Sequence, residues 1–200
     1  MKKIVCFIFY FILLIHCAST NIANAEITGN PFFLKNNISN LNYKGKFLFD
    51  CIVEKDVKLN INEAAKLKYG KLYELKLDRI EGIPEERLRL GYFYVQPDKI
   101  YKIEPTEKNL DRLKAGGEAP NYSLIVCQDK EIKDTLSKNE PGFHSCLEIN
   151  GHKREYRSYN NQVSTGYYES FTWEKDKGLI SYRSGYGANK DFIELQLIDI

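Results

Sequence analysis

Between residues 73 and 78 the chain reads Tyr-Glu-Leu-Lys-Leu-Asp, with apolar and charged side chains in strict alternation. Successive side chains of a β-strand point to opposite faces, so as a strand this segment buries one side and wets the other. As a helix it would spread its charges around the whole circumference. The same two-residue period recurs along the chain. Phe47, Phe49, Cys51 and Val53 share one face, opposite Asp50 and Glu54; Leu88, Leu90, Tyr92 and Tyr94 oppose Arg87, Arg89, Phe93 and Val95. Pro97-Asp98 is a turn signal leading into a strand over 99–103. Residues 122–127 are apolar on both sides, as in a central strand, and 171–174, 179–182 and 192–198 complete a strand-rich C-terminal third.

Helical signals are shorter. Asn62 is placed to cap a helix over 63–69 stopped by Gly70, and Thr106 to cap one over 107–115 stopped by Gly116-Gly117. Residues 129–138 offer a further turn or two before Pro141-Gly142. The fold class expected is α+β: a single domain dominated by an antiparallel, hairpin-connected β-sheet, as a sandwich or half-barrel, with two or three short helices.

The first 25 residues belong to a different physics. Met1-Lys2-Lys3 is a basic start, 4–15 is an almost unbroken apolar run, and Ala23-Asn24-Ala25 supplies small residues for cleavage before Glu26. This is the pattern of a secretory signal peptide, and a dozen apolar residues are too few to span a bilayer. The expected mature chain is 26–200, in the periplasm or the medium of a bacterium. Losing Lys2 and Lys3 leaves 27 basic against 27 acidic residues, a net charge of zero. That excludes a strongly basic nucleic-acid binder, and no membrane span is expected in the mature chain.

Asn150-Gly151 is the strongest hairpin signal, since both residues tolerate the positive φ of a type I′ turn. With these two at the tip, Ile149 faces His152, Glu148 faces Lys153, Leu147 faces Arg154 and Cys146 faces Glu155. Alternation then sets His144, Cys146 and Glu148 on one face and His152 on the other, so the two mature histidines do not share an ion. No metal and no cofactor are expected. Of the three mature cysteines, Cys127 and Cys146 enclose an 18-residue connection and form the preferred disulfide, worth about 3 kcal/mol by loop entropy. Pairings through Cys51 are the alternatives; otherwise Cys51 is a small buried hydrophobe.

Catalytic signatures are missing. The Gly185-Tyr186-Gly187 stretch lacks the lysine and βα context of a phosphate loop and reads as a connecting turn, while Glu85/Glu86 and Glu174/Asp176 read as solvated loop carboxylates. Tyrosine is abundant, and it joins apolar area to a hydroxyl. A ligand-binding groove is expected from Tyr92, Tyr94, Tyr101, Tyr182 and Tyr186. The function expected is therefore an exported, non-catalytic binding or interaction protein. Its partner is an unknown small molecule, glycan, lipid or protein of the cell envelope or medium, not nucleic acid. The alternatives are an exported hydrolase with carboxylate acid and base residues, or a secreted enzyme inhibitor presenting a loop over 114–121.

Overall fold

A computed structural model describes residues 29–33, 38–116, 118–120, 123–137, 139–162, 166–187 and 191–198. The expected leader lies outside the described residues. Among those described, no helix is long and apolar enough to cross a membrane.

Among the described residues, alternation produces eleven strands: β1 (Asn40–Leu48), β2 (Ile52–Leu67), β3 (Gly70–Leu77), β4 (Arg89–Val95), β5 (Lys99–Ile103), β6 (Leu124–Gln128), β7 (Phe143–Asn150), β8 (Lys153–Asn160), β9 (Tyr167–Glu174), β10 (Gly178–Tyr186) and β11 (Phe192–Leu197). They form one antiparallel sheet in the order β6-β5-β4-β3-β2-β1-β11-β10-β9-β8-β7. Neighbours in sequence are neighbours in the sheet except β6 and β7, which form its two edges, and β1 also pairs with β11 and so joins the two ends of the chain. The sheet curls until its outer strands nearly meet, giving an almost closed barrel. Ile132, just past β6, exchanges two main-chain hydrogen bonds with Leu147 of β7, at 3.0 and 2.9 Å. Across the interior, Phe93 of β4 meets Phe171 and Trp173 of β9 at centroid separations of 5.5 and 5.9 Å, both near edge-on.

The inward-facing positions hold the main core, with Tyr43, Phe47, Leu59, Leu75, Phe93, Ile100, Phe171 and Trp173 fully buried. A second cluster lies outside the barrel. Helix α1 (Glu107–Lys114), capped by Thr106 Oγ1, sets Leu113 against Leu72, Tyr94 and Ile103 on the outer face of β3, β4 and β5. Strand β4 therefore carries apolar groups on both faces, as its sequence shows. At one end of the barrel a short N-terminal turn forms a plug. Asn30 Nδ2 donates to Gln96 O, Pro31 O accepts from Asp176 N, and Phe33 packs on Tyr73 and Trp173.

Several local expectations give way to tertiary pairing. One α-helix is present among the described residues, with a 3₁₀ turn at Glu85–Leu88, in place of two or three helices. Residues 63–69 continue β2 and turn into β3, because pairing with Leu72 and Tyr73 outweighs a weak helical preference. Gly70 is not a helix stop: a Cβ there would collide with the Val95 carbonyl. Residues 129–138 are not helical where described, and run along the edge of β7. The expected strand through Phe47 and Val53 is a hairpin whose tip is 49–51, so Phe47 faces Val53 and Cys51 is exposed rather than buried. Strand β10 runs on through Gly185 to Tyr186, into the stretch expected to be a connecting turn.

The β7–β8 hairpin is displaced from the expected register. Asn150 pairs with Lys153, Ile149 with Arg154, Glu148 with Glu155 and Leu147 with Tyr156, so the tip is Gly151-His152, with Gly151 at φ 56°. The slide leaves Leu147 and Ile149 inward and His144, Cys146 and Glu148 outward as expected, while His152, expected opposite Ile149, lies in the turn. The cross-strand charge pairing is what changes: Glu148 accepts from Arg157 at 2.7 Å, and Lys153 turns to Glu174.

Candidate functional site

Alternation on β10, β11, β1 and β2 places a continuous polar strip on the outside of the barrel. The registers align two rows across these four strands. One row reads Arg183, Glu194, Lys46, Glu54; the next reads Ser181, Gln196, Lys44, Asp56. The first row alternates in sign and neutralises itself, with Arg183 Nε 2.8 Å from Glu194 and Lys46 Nζ 3.0 Å from Glu54. In the second row, Ser181, Gln196, Lys44 and Asp56 have no side-chain hydrogen bond or ion pair among the described residues. Together the rows line a depression of about 660 Å³. A second depression of about 450 Å³ adjoins it, sharing Lys55 and Asp56 and continuing to Lys58, Asp78 and Arg79.

A different polar cluster lies inside the barrel. Lys102 of β5 crosses the interior to Glu169 of β9 at 2.5 Å, and the hydroxyls of Tyr182 and Tyr167 donate to the same carboxylate oxygen at 3.0 and 3.2 Å. Glu169 is 4% exposed. Burial pushes the Tyr182 and Tyr167 hydroxyls well above the usual phenol range, reinforced by the adjacent carboxylate, so both act as donors here. Tyr156, facing inward from β8, is also pushed up to about 12, chiefly by burial.

A third polar station faces outward. The His144 ring is fully buried, stacked on Tyr159 at 4.6 Å and nearly parallel to it. Its Nδ1 lies 2.7 Å from Asp134 Oδ2 and its Nε2 2.8 Å from Glu140 O. Both partners are acceptors, so only the imidazolium, with a proton on each nitrogen, satisfies both. Burial pulls its pKa down, but the Glu140 carbonyl and the Asp134 carboxylate outweigh it and the net shift is upward. A raised folded pKa stabilises fully below the unfolded value of about 6.5, and the benefit is lost as pH rises through the folded pKa. Denaturant midpoints are thus expected to fall as pH climbs above about 6.5, and His144→Gln to flatten that slope. An identical pH profile in the variant rules this out.

The structure separates the five expected tyrosines. Tyr92, Tyr94 and Tyr101 lie on the outer face beside helix α1, with Tyr94 buried and Tyr92 donating to Glu74. Tyr182 faces the interior, and Tyr186 is exposed beside Tyr167. They do not line a common groove. The expected Cys127–Cys146 bridge is not formed, and all three described cysteines are free thiols. Cys127 points into the core, where burial raises its pKa far out of reach, while Cys146 sits on the opposite face of the sheet. Glu85 and Glu86 lie in the 3₁₀ turn. Asp176 lies in the β9–β10 turn with φ 65°. No group of three or more metal-ligating side chains converges among the described residues.

Glu169 and Lys102 escaped the sequence reading, although Glu169 breaks the apolar phase set by Phe171 and Trp173 and could have been flagged. The outer rows needed the β1–β2 turn to be placed correctly first. No protein-family model matches this chain, and no curated protein or solved structure shows significant similarity to it.

Proposed function

We propose that the mature chain, released from its leader between Ala25 and Glu26, is an exported, non-catalytic binding protein that receives a small polar ligand on the outer face of β10, β11, β1 and β2. The observation carrying this reading is the depression of about 660 Å³ over the row of uncommitted polar side chains. Its size falls within the range of ligand sites, roughly 300–1,000 Å³. The middle of the barrel, by contrast, is packed with aromatic rings.

The test is an amide-shift NMR screen of the mature protein against neutral oligosaccharides, amino acids, dicarboxylates and short-chain phospholipids. At least one compound is expected to move the amides of Lys44, Ser181 and Gln196, and Lys44→Glu to abolish the response. Shifts confined to other surfaces, or none at all, overturn the proposal. Mass spectrometry of the protein recovered outside the cytoplasm tests the cleavage, with Glu26 expected as its first residue.

A further inference from the structure

Resting on the reading that this outer face is the binding surface, we infer that its ligand is a neutral oligosaccharide lying across the strands, along the row Ser181, Gln196, Lys44, Asp56. The two rows differ in what they leave available. Arg183 with Glu194 and Lys46 with Glu54 are already paired, so that row offers little to an incoming charge. The uncommitted row presents a hydroxyl, a primary amide, an ammonium and a carboxylate, with no net charge. Adjacent strands stand about 4.8 Å apart, so the four groups form a nearly straight line roughly 14 Å long.

A ligand for such a line needs donors and acceptors repeated at short intervals and no strong charge. Sugar hydroxyls meet this requirement, because each donates and accepts at once. A polyanion would meet Glu54, Asp56 and Glu194 in the same depression, and a polycation would meet Lys44, Lys46, Lys55 and Arg183. A lipid chain would strip water from Lys44 and Asp56 without returning a partner. A peptide adding as a strand needs a free edge, yet β1 and β11, at the centre of the strip, are paired on both sides. The adjoining depression of about 450 Å³ past Asp56 gives a longer chain room to continue.

The experiment is a glycan array followed by calorimetric titration of the best binder among neutral mono- to hexasaccharides. Sulfated and sialylated glycans and acidic and basic peptides serve as comparators. Trisaccharides and longer are expected to bind more tightly than single sugars, with little change from low to high salt, since no net charge is matched. Ser181→Ala combined with Gln196→Ala is expected to weaken binding about tenfold, two hydrogen bonds' worth, with the thermal midpoint unchanged. Neutral glycan binding that this double variant leaves intact overturns the inference. If only a charged glycan or a peptide moves the amides of Lys44 and Ser181, the saccharide inference falls while the binding reading stands. If no probe moves them, both fall.

Discussion

Glu169→Ala is expected to destabilise the protein by about 3–5 kcal/mol, the cost of removing one partner from a buried ion pair. The carboxylate is 4% exposed and one of its oxygens collects three donors, Lys102 Nζ, Tyr182 Oη and Tyr167 Oη. Without it the lysine ammonium stays inside the barrel, with the ring of Phe171 at 5.3 Å as its remaining partner, and two phenols lose their acceptor. At roughly 2–4 °C per kcal/mol for a domain of this size, the melting temperature is expected to drop by about 6–20 °C. Glu169→Gln, which keeps an acceptor for the phenols but not the charge for Lys102, should fall between. The double variant Lys102→Met, Glu169→Leu should recover most of the loss, because replacing both members of a buried pair by apolar groups is often nearly neutral. A loss below about 1 kcal/mol for Glu169→Ala would show that water reaches the cluster freely.

That cluster also marks where sequence reasoning stops. The strands were legible because period two survives in a single sequence: Tyr73–Leu77 and 171–174 lie in strands as read. Register was less so: Phe171 faces Tyr182 and Trp173 faces Leu179, because a bulge after Leu179 absorbs one residue, and nothing local announces a bulge. Helix α1 was legible from Thr106 and Gly116, whose φ of 81° is the conformation a helix stop requires. Residues 63–69 were misread for the converse reason: their strand state is imposed by β3, and Gly70 is selected by the Val95 carbonyl, which is distant in sequence.

Sites made by pairing suffer most from a single misplaced turn. Reading residues 47–54 as one strand hides the β1–β2 hairpin, and with it the rows that align Lys44 with Asp56 and Lys46 with Glu54. Abundance misled in another way. Tyrosines at alternate positions look like one surface, but β4 is buried on both sides, so Tyr92 and Tyr94 pack beneath a helix while Tyr182 packs inside the barrel. Only the closure of the sheet decides which side of each strand is the interior.

Beside the Ile132–Leu147 bridge, one side chain spans the seam of the barrel, and Arg154→Ala is expected to cost about 3 kcal/mol and to loosen β6 before the rest of the barrel. From β8, Arg154 Nε donates to Gln128 O at the end of β6, Nη1 donates to Gly151 O and Lys153 O, each at 3.0 Å, and Nη2 reaches Asp129 at 2.7 Å. Its guanidinium also lies 4.5 Å from the ring of Phe32 in the N-terminal plug. It thus holds β6, the β7–β8 tip and the plug together at the place where the sheet lacks a continuous ladder. The contributions are separable. Asp129 is 78% exposed, so Asp129→Asn should change stability by under about 1 kcal/mol. Arg154→Lys retains the charge but loses the planar fork that meets several carbonyls at once, and should recover less than half of the alanine loss. Hydrogen exchange is the deciding measurement: in Arg154→Ala the amides of Leu124–Gln128 should exchange faster while those of β9 and β10 keep their protection. Uniform acceleration across all strands would mean that Arg154 supports global stability without acting as the clasp between β6 and β8, and that the seam is held by Ile132 and Leu147 instead.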